Sequence, residues 1–356
     1  MSNCRFMYQN LIQDPDQINL SSARPGLVGM PAPRAAGSAT AYAAGEHTGS
    51  QDQVFLVEID SLAAGSEVGQ ATFRWRRSSQ ETWEMSGQAT SDGLINLADG
   101  VKIKWVSGPG TDFVLGDSWS ILATRSFGAA MLLDRDRDTG WEATGCTQEH
   151  VTVDLGQAQQ AKALVLADHN LSAEATVTLM ANIADDWEAP AWSQSLTVTA
   201  PHLVYFLDQT YRFWRLLLED PDNPAGALMA SLLFLGPYFQ PSRTFKQRHE
   251  RSTVAGRSVT ATDAGKLAGG VLGLGETFGL SFSGLGSADL DGFVSMYRAI
   301  HDPATGRLTP LFFTPFCETP AETFYCLPGA TFSRTQLHLN RYALELNLEE
   351  VIISHV

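Results

Sequence analysis

Leu132-Leu133-Asp134-Arg135-Asp136-Arg137-Asp138-Thr139-Gly140-Trp141, followed by Val151-Thr152-Val153-Asp154-Leu155-Gly156, decides how the middle of this chain reads. The first stretch is an acidic loop closing on Thr-Gly-Trp, and the second is an alternating strand closed by glycine. Downstream, 163–167 is a continuous apolar run, and 175–180 and 203–207 alternate apolar with polar side chains. Tyr211-Arg212-Phe213-Trp214-Arg215-Leu216-Leu217-Leu218 and Leu232-Leu233-Phe234-Leu235 complete the set. Short strands recurring at such spacing, with few helix signals between them, mark residues 126–240 as a sandwich or jelly roll.

Upstream, residues 46–125 read as a small antiparallel β module. Val54 to Ile59 is an apolar run, and Ala71-Thr72-Phe73-Arg74-Trp75-Arg76 alternates. Asp99-Gly100 separates Leu94-Ile95-Asn96-Leu97 from the alternating Val101-Lys102-Ile103-Lys104-Trp105. An Asp-Gly pair between two such runs is a strong hairpin signal. Phe73, Trp75, Trp83, Trp105, Phe113 and Trp119 are the expected core of this module. Residues 1–45 open with Tyr8-Gln9-Asn10-Leu11-Ile12 and continue into a Pro/Gly/Ala-rich stretch with little periodicity, expected as an extended arm.

Past Pro237 and Pro241 a further domain, 241–356, is expected. A hairpin turning at Gly256 is expected between 250–254 and 258–262, and the glycine-rich stretch 270–275 is expected as a flexible turn. The one clear helical pattern runs from Ser287 to His301, with Leu290, Phe293, Val294, Tyr297 and Ile300 on one stripe. Asp289 and Asp291 near its start favour the helix dipole, and Pro303 follows its end. Strands at 277–282, 308–313, 323–327 and 341–353 make this domain α+β, a sandwich flanked by one helix.

The chain has 356 residues, enough for two or three domains, with 44% hydrophobic and 18% charged residues. A net charge of −15 argues against a general binder of phosphate backbones, which needs clustered Lys and Arg. No apolar stretch is long enough for a membrane helix, and no signal peptide is visible at the N-terminus. Cys4, Cys146, Cys317 and Cys326 show no CxxC spacing, so neither a zinc site nor a disulfide framework is expected. Cys317 and Cys326 are spaced to meet across a hairpin, although two buried thiols are the simpler reading. No HExxH, GxSxG or P-loop motif occurs, and the glycine spacing at 270–275 does not fit GxGxxG, so no enzymatic activity and no cofactor are expected.

The acidic loop ending in Thr-x-Trp, the Asp-Leu-Gly strand, the Tyr-Arg-Phe-Trp-Arg-Leu strand and the closing Leu232-Leu233-Phe234-Leu235-Gly236 together resemble the discoidin, or coagulation-factor C-type, family of galactose-binding-like domains. The resemblance spans about 126–237 and implies a discoidin-like jelly-roll sandwich. Asn10-Leu11-Ile12 and Leu20-Ser21-Ser22-Ala23 resemble that family's opening segment, which would make 46–125 an insertion. In carbohydrate-binding relatives the acidic loop often holds a structural calcium, helped by a Glu near the last strand. Asp134, Asp136 and Asp138 have the right oxygen chemistry for a hard cation. Ser231 stands at the comparable position of that Glu, however, and Arg135 and Arg137 could neutralise the acids as surface ion pairs. Calcium at this loop and a purely structural loop are the two readings left open.

A glycan site needs an exposed aromatic platform beside polar groups. Trp187, Trp192 and His169 are the candidates, while Trp141 is expected in the core because that family's tryptophan packs under the loop. The whole chain resembles bacteriophage tail proteins of the distal-tail or minor-tail kind. The features that carry this are the cadence Gly69 to Trp75, Leu97 to Lys104 and Phe113 to Trp119, the C-terminal tail-tube-like β domain, and the ending Tyr342 to Val351. The resemblance implies a virion component made in the bacterial cytoplasm. It would form a trimeric or hexameric homo-oligomeric ring with other phage tail proteins and present its sandwich to host-surface glycan, without specific nucleic acid binding or membrane insertion. A free-standing carbohydrate-binding or adhesion protein is the alternative, and a glycan-active enzyme using two carboxylates is a further one.

Overall fold

The structure is a computed structural model, and it describes residues 3–246, 250–261, 267–302, 305–330 and 332–352. It is mostly β, with several antiparallel sheets and, among the described residues, one α-helix. Two compact units arise. One is Ala23–Ala130, and the other joins the residues up to Ser22 with those from Met131 onward.

The Ala23–Ala130 unit holds a five-stranded sheet in the order Ala32–Arg34, Ser118–Ala123, Gln53–Ser61, Thr72–Arg77, Met85–Ala89. A three-stranded sheet, Thr40–Gly45, Val101–Val106, Ile95–Asn96, accompanies it. Strict alternation sends Phe55, Val57 and Ile59 inward from one strand and Val101, Ile103 and Trp105 from another. Trp105 lies 4.9 Å from Phe73 and 5.8 Å from Trp119, ring centre to ring centre. Asp99 and Gly100 both take positive φ, as a two-residue I′ hairpin requires. Trp83 departs from expectation. It is half-buried outside the core, with the Arg74 and Arg76 guanidinium groups 4.3 and 5.4 Å from its ring. Its strand neighbours alternate arginine with apolar residues, and Trp83 joins the arginine face.

In the second unit, Glu149–Ala167 and His202–Glu219 are long strands that pair along their lengths, with register shifts between Asp154 and Gln159 and between Ala161 and Ala163. Each therefore spans what the sequence suggests as two separate strands. Before the shifts they pair with Ile18–Leu20 and Thr176–Asn182, and beyond them with Leu232–Gly236. Trp192–Leu196 forms the edge beyond Thr176–Asn182. Val151, Val153, Leu179, Trp214 and Leu216 face Leu164, Leu233 and Leu235 around a void of only about 10 Å³, which is the dry core of a sandwich.

The same unit contains a seven-stranded sheet in the order Arg5–Met7, Leu311–Thr314, Phe324–Pro328, Arg341–Glu350, Leu267–Leu285, Glu250–Ala261, with Ser333–His338 also pairing Arg341–Glu350. The glycine-rich stretch at 270–275 is therefore strand, not a flexible turn. Gly256 is not a hairpin turn either. It lies inside Glu250–Ala261 at a register shift, where a glycine accommodates a bulge. The helix Ser287–Ile300 buries Leu290, Phe293, Met296, Tyr297 and Ile300, so Met296 rather than Val294 completes the stripe. Its first turn is held by Asp289, whose carboxylate accepts from the Gly286 amide and from the amide and hydroxyl of Ser242.

The N-terminal residues stitch this unit together. Arg5–Met7 is an edge strand of the seven-stranded sheet, and Ile18–Leu20 adds to the sandwich. Between them the Asn10 side chain donates to the Leu233 carbonyl and accepts from the Leu235 amide. The arm expected over 1–45 is thus divided among four sheets, since Ala32–Arg34 and Thr40–Gly45 join the two sheets of the other unit. All four cysteines are free thiols, with Cys4 and Cys326 buried and Cys146 and Cys317 half-buried.

Candidate functional site

The acidic loop folds around its own carboxylates. Asp134 accepts from the Asp136 amide at 2.9 Å and from the Thr139 hydroxyl at 2.6 Å, and Asp136 accepts from the Asp138 amide at 2.9 Å. These are turn-forming side-chain bonds. Among the described residues no three His, Cys, Asp or Glu side chains are grouped so as to hold a metal ion, the triad Asp134, Asp136, Asp138 included. Gly140 is required by space, because a Cβ there would stand 2.7 Å from the Ala230 carbonyl oxygen. The Trp141 ring is fully buried, and its N–H donates to the Ser22 carbonyl at 2.8 Å.

The two loop arginines part company. Arg135 is exposed, with φ at +65°. Arg137, expected as a surface ion pair, turns inward and is 8% exposed. Its guanidinium grips Asp168 through two bonds of 2.7 and 2.6 Å, donates to the Val351 carbonyl at 2.5 Å, and stands 3.7 Å from Glu350. The Ser231 hydroxyl donates to the Arg137 carbonyl and so fastens the loop backbone. His202 sits beside Asp168, its Nδ1 3.7 Å from the carboxylate and its Nε2 buried without a partner among the described residues. Burial, opposed by Asp168, holds its pKa down to about 4.

The Asp-Leu-Gly turn has its own chemistry. Asp154 receives Arg212 in a two-bond grip at 2.7 Å and the Gly156 amide at 2.8 Å, and Gly156 takes φ +74°. The arginine bonds, aided by the amide and opposed by desolvation, hold the Asp154 carboxyl below its usual range.

The three glycan candidates have separate settings. His169 is buried, its Nε2 3.0 Å from the Thr199 carbonyl and its Nδ1 accepting from the Leu171 amide. It fixes a loop. Trp192 is half-buried and packs its ring 6.2 Å from the core ring of Trp214. Trp187 is the one set among charged groups: its N–H donates to Asp185, and the Arg215 guanidinium lies 4.5 Å from its ring. Arg215 in turn donates to the Thr152 hydroxyl at 2.8 Å.

Sequence reasoning missed a cleft of about 780 Å³, formed where residues 7–13, the acidic loop, the sandwich and the seven-stranded sheet meet. Arg135, Gln13, Gln159, Phe312 and Tyr325 are among its lining residues. They come from segments as far apart in sequence as Gln13 and Tyr325, and only Arg135 lies in a motif visible in the sequence.

No protein-family model and no curated protein matches this chain. Among solved structures it is similar to a Streptococcus pneumoniae fucose binding module, at 12% identity over 32% of this chain and 87% of that one, with a TM-score of 0.27. A chitosan-binding module from a Paenibacillus chitosanase/glucanase is 17% identical over 32% of this chain and 85% of that one, at 0.25. A Clostridium perfringens module in complex with GalNAc-β-1,3-galactose is 12% identical over 31% and 84%, at 0.26. Scores this low carry no argument about this chain. Its class rests on its own sheets: a mostly β chain with a sandwich and a helix-flanked sheet.

Proposed function

We propose that this chain is a non-catalytic structural component of a phage tail tip, which assembles copies through its seven-stranded sheet and presents its sandwich as a glycan-binding or docking module. The observation behind this reading is the asymmetry of that sheet. One edge is closed, because Phe6 of the edge strand exchanges backbone hydrogen bonds with Phe239. The other edge is Glu250–Ala261, which pairs only with Leu267–Leu285 among the described strands, and Glu250 to Val254 are exposed. A twelve-residue strand with an open row of amides and carbonyls is a template for a second chain. Repetition of one such contact gives a closed ring when the rotation closes. Repeated weak binding sites around a ring gain by avidity, and a net charge of −15 suits a passage that DNA traverses without adhering.

The experiment is the mass of the purified chain by light scattering across a concentration series, with negative-stain images of the same sample. Trimers or hexamers with ring outlines support the reading.

A free-standing glycan binder is the second reading, favoured by the half-exposed Trp187 beside Arg215 and Asp185. A strict monomer that saturates with a glycan would establish it in place of the first.

A further inference from the structure

The cleft is opposite in character to the rest of the surface. The chain carries 39 Asp and Glu against 24 Lys and Arg, yet among the described residues no carboxylate lines the cleft, and Arg135 is the one charged lining residue. Arg135 makes no hydrogen bond or ion pair with any described residue, although it sits in a loop of aspartates. Its left-handed backbone, unusual for a side chain of this size, belongs to the turn that separates it from the buried Arg137. Tyr325 is 4% exposed, and its hydroxyl has no hydrogen-bond partner among the described residues. The amide nitrogens of Gln13 and Gln159 are held by the Asn10 and Leu155 carbonyls, which leaves their amide oxygens as acceptors. Phe312 supplies an apolar wall, its ring 4.8 Å from that of Tyr325 and tilted 43° to it. The volume of about 780 Å³ falls within the range of small-molecule sites.

We infer that this cleft binds a short acidic oligosaccharide. A carboxylate on the sugar would take the fork of Arg135, which is built for two-bond recognition of carboxylates. Sugar hydroxyls would donate to Gln13 and Gln159 and accept from Tyr325, and a ring face would lie on the aromatic wall. This deepens the display role proposed above, yet the two fail separately, because solution mass tests assembly and titration tests the cleft. It also places the site away from Trp187.

The test is calorimetric titration of the full chain with short uronic-acid and sialic-acid oligosaccharides, their neutral counterparts and inorganic phosphate. The expected result is saturable binding of at least one acidic sugar, weakened about tenfold or more in Arg135→Ala and a few-fold in Tyr325→Phe. Trp187→Ala binds as the parent does. Arg135 is exposed, so its variant keeps the parent's thermal midpoint, and Tyr325→Phe retains the ring if the larger change perturbs folding. Absence of binding by every acidic sugar overturns the inference. So does equal binding of neutral sugars that is indifferent to Arg135→Ala, equal competition by phosphate, or loss of binding in Trp187→Ala alone.

Discussion

Arg137 and Asp168, thirty-one residues apart, form a buried two-bond ion pair, and the same guanidinium holds the Val351 carbonyl at the end of the last described strand. The pair therefore ties the acidic loop of the sandwich to the seven-stranded sheet. Desolvation opposes the charge on Arg137, and its bonds and attraction to Asp168 outweigh it, raising its pKa.

Removing one partner leaves the other charge buried and unmatched. Arg137→Ala is expected to cost about 3–5 kcal/mol in denaturant unfolding, far more than Arg135→Ala, which breaks no bond. Equal, small costs for the two would contradict the inward placement of Arg137.

His202 gives the fold an acid sensitivity. Its folded pKa, about 4, lies below the ordinary 6.5 because burial disfavours the charged ring. Between these values the unfolded chain binds the proton and the folded chain does not, so stability falls as pH drops from about 6.5 toward 4. The full effect is of order 3 kcal/mol, at about 1.4 kcal/mol per pKa unit. Unfolding midpoints at pH 7 and pH 5 measure it, and His202→Gln should flatten this part of the slope.

Two tryptophans of the Ala23–Ala130 unit should behave oppositely. Trp105→Ala empties the centre of an aromatic cluster and should cost about 3–5 kcal/mol. Trp83→Ala gives up cation–π contacts at the surface, worth about 1 kcal/mol or less. Chemical unfolding followed by tryptophan fluorescence separates the two.

Asp134 and Asp136 spend their oxygens on loop amides and on Thr139. Calcium or a chelator should therefore leave the melting temperature unchanged, while Asp134→Ala should lose about 0.5–2 kcal/mol, the range for side-chain caps of backbone amides. A calcium-dependent rise in melting temperature would show instead that the three aspartates rearrange around an ion.

Local patterns made much of this fold legible. Alternation marked Val101–Val106 and Thr72–Arg77, Asp99-Gly100 marked its hairpin, and three- and four-residue spacing marked the helix. What stayed hidden depends on long-range pairing. Nothing local announces that Arg5–Met7 pairs with Leu311–Thr314 from the far end of the chain. Gly256 looks like a turn because glycine serves turns and bulges equally, and only the partner strand decides between them. Arg135 and Arg137 are indistinguishable in sequence. The left-handed residue between Asp134 and Asp136 helps send one outward and the other into the interior. The Thr-Gly-Trp and Asp-Leu-Gly motifs were visible, but their reasons, a close approach to Ala230 and a positive φ at Gly156, were not.

Assembly through the open sheet edge is measured by the solution mass of the intact chain over a wide concentration range, with images of the same particles. Discrete trimers or hexamers, reduced toward monomer by Ser252→Pro and Thr253→Pro in the exposed edge strand, are the expected result. A chain that stays monomeric at the highest concentration, or a ring indifferent to both prolines, would contradict it.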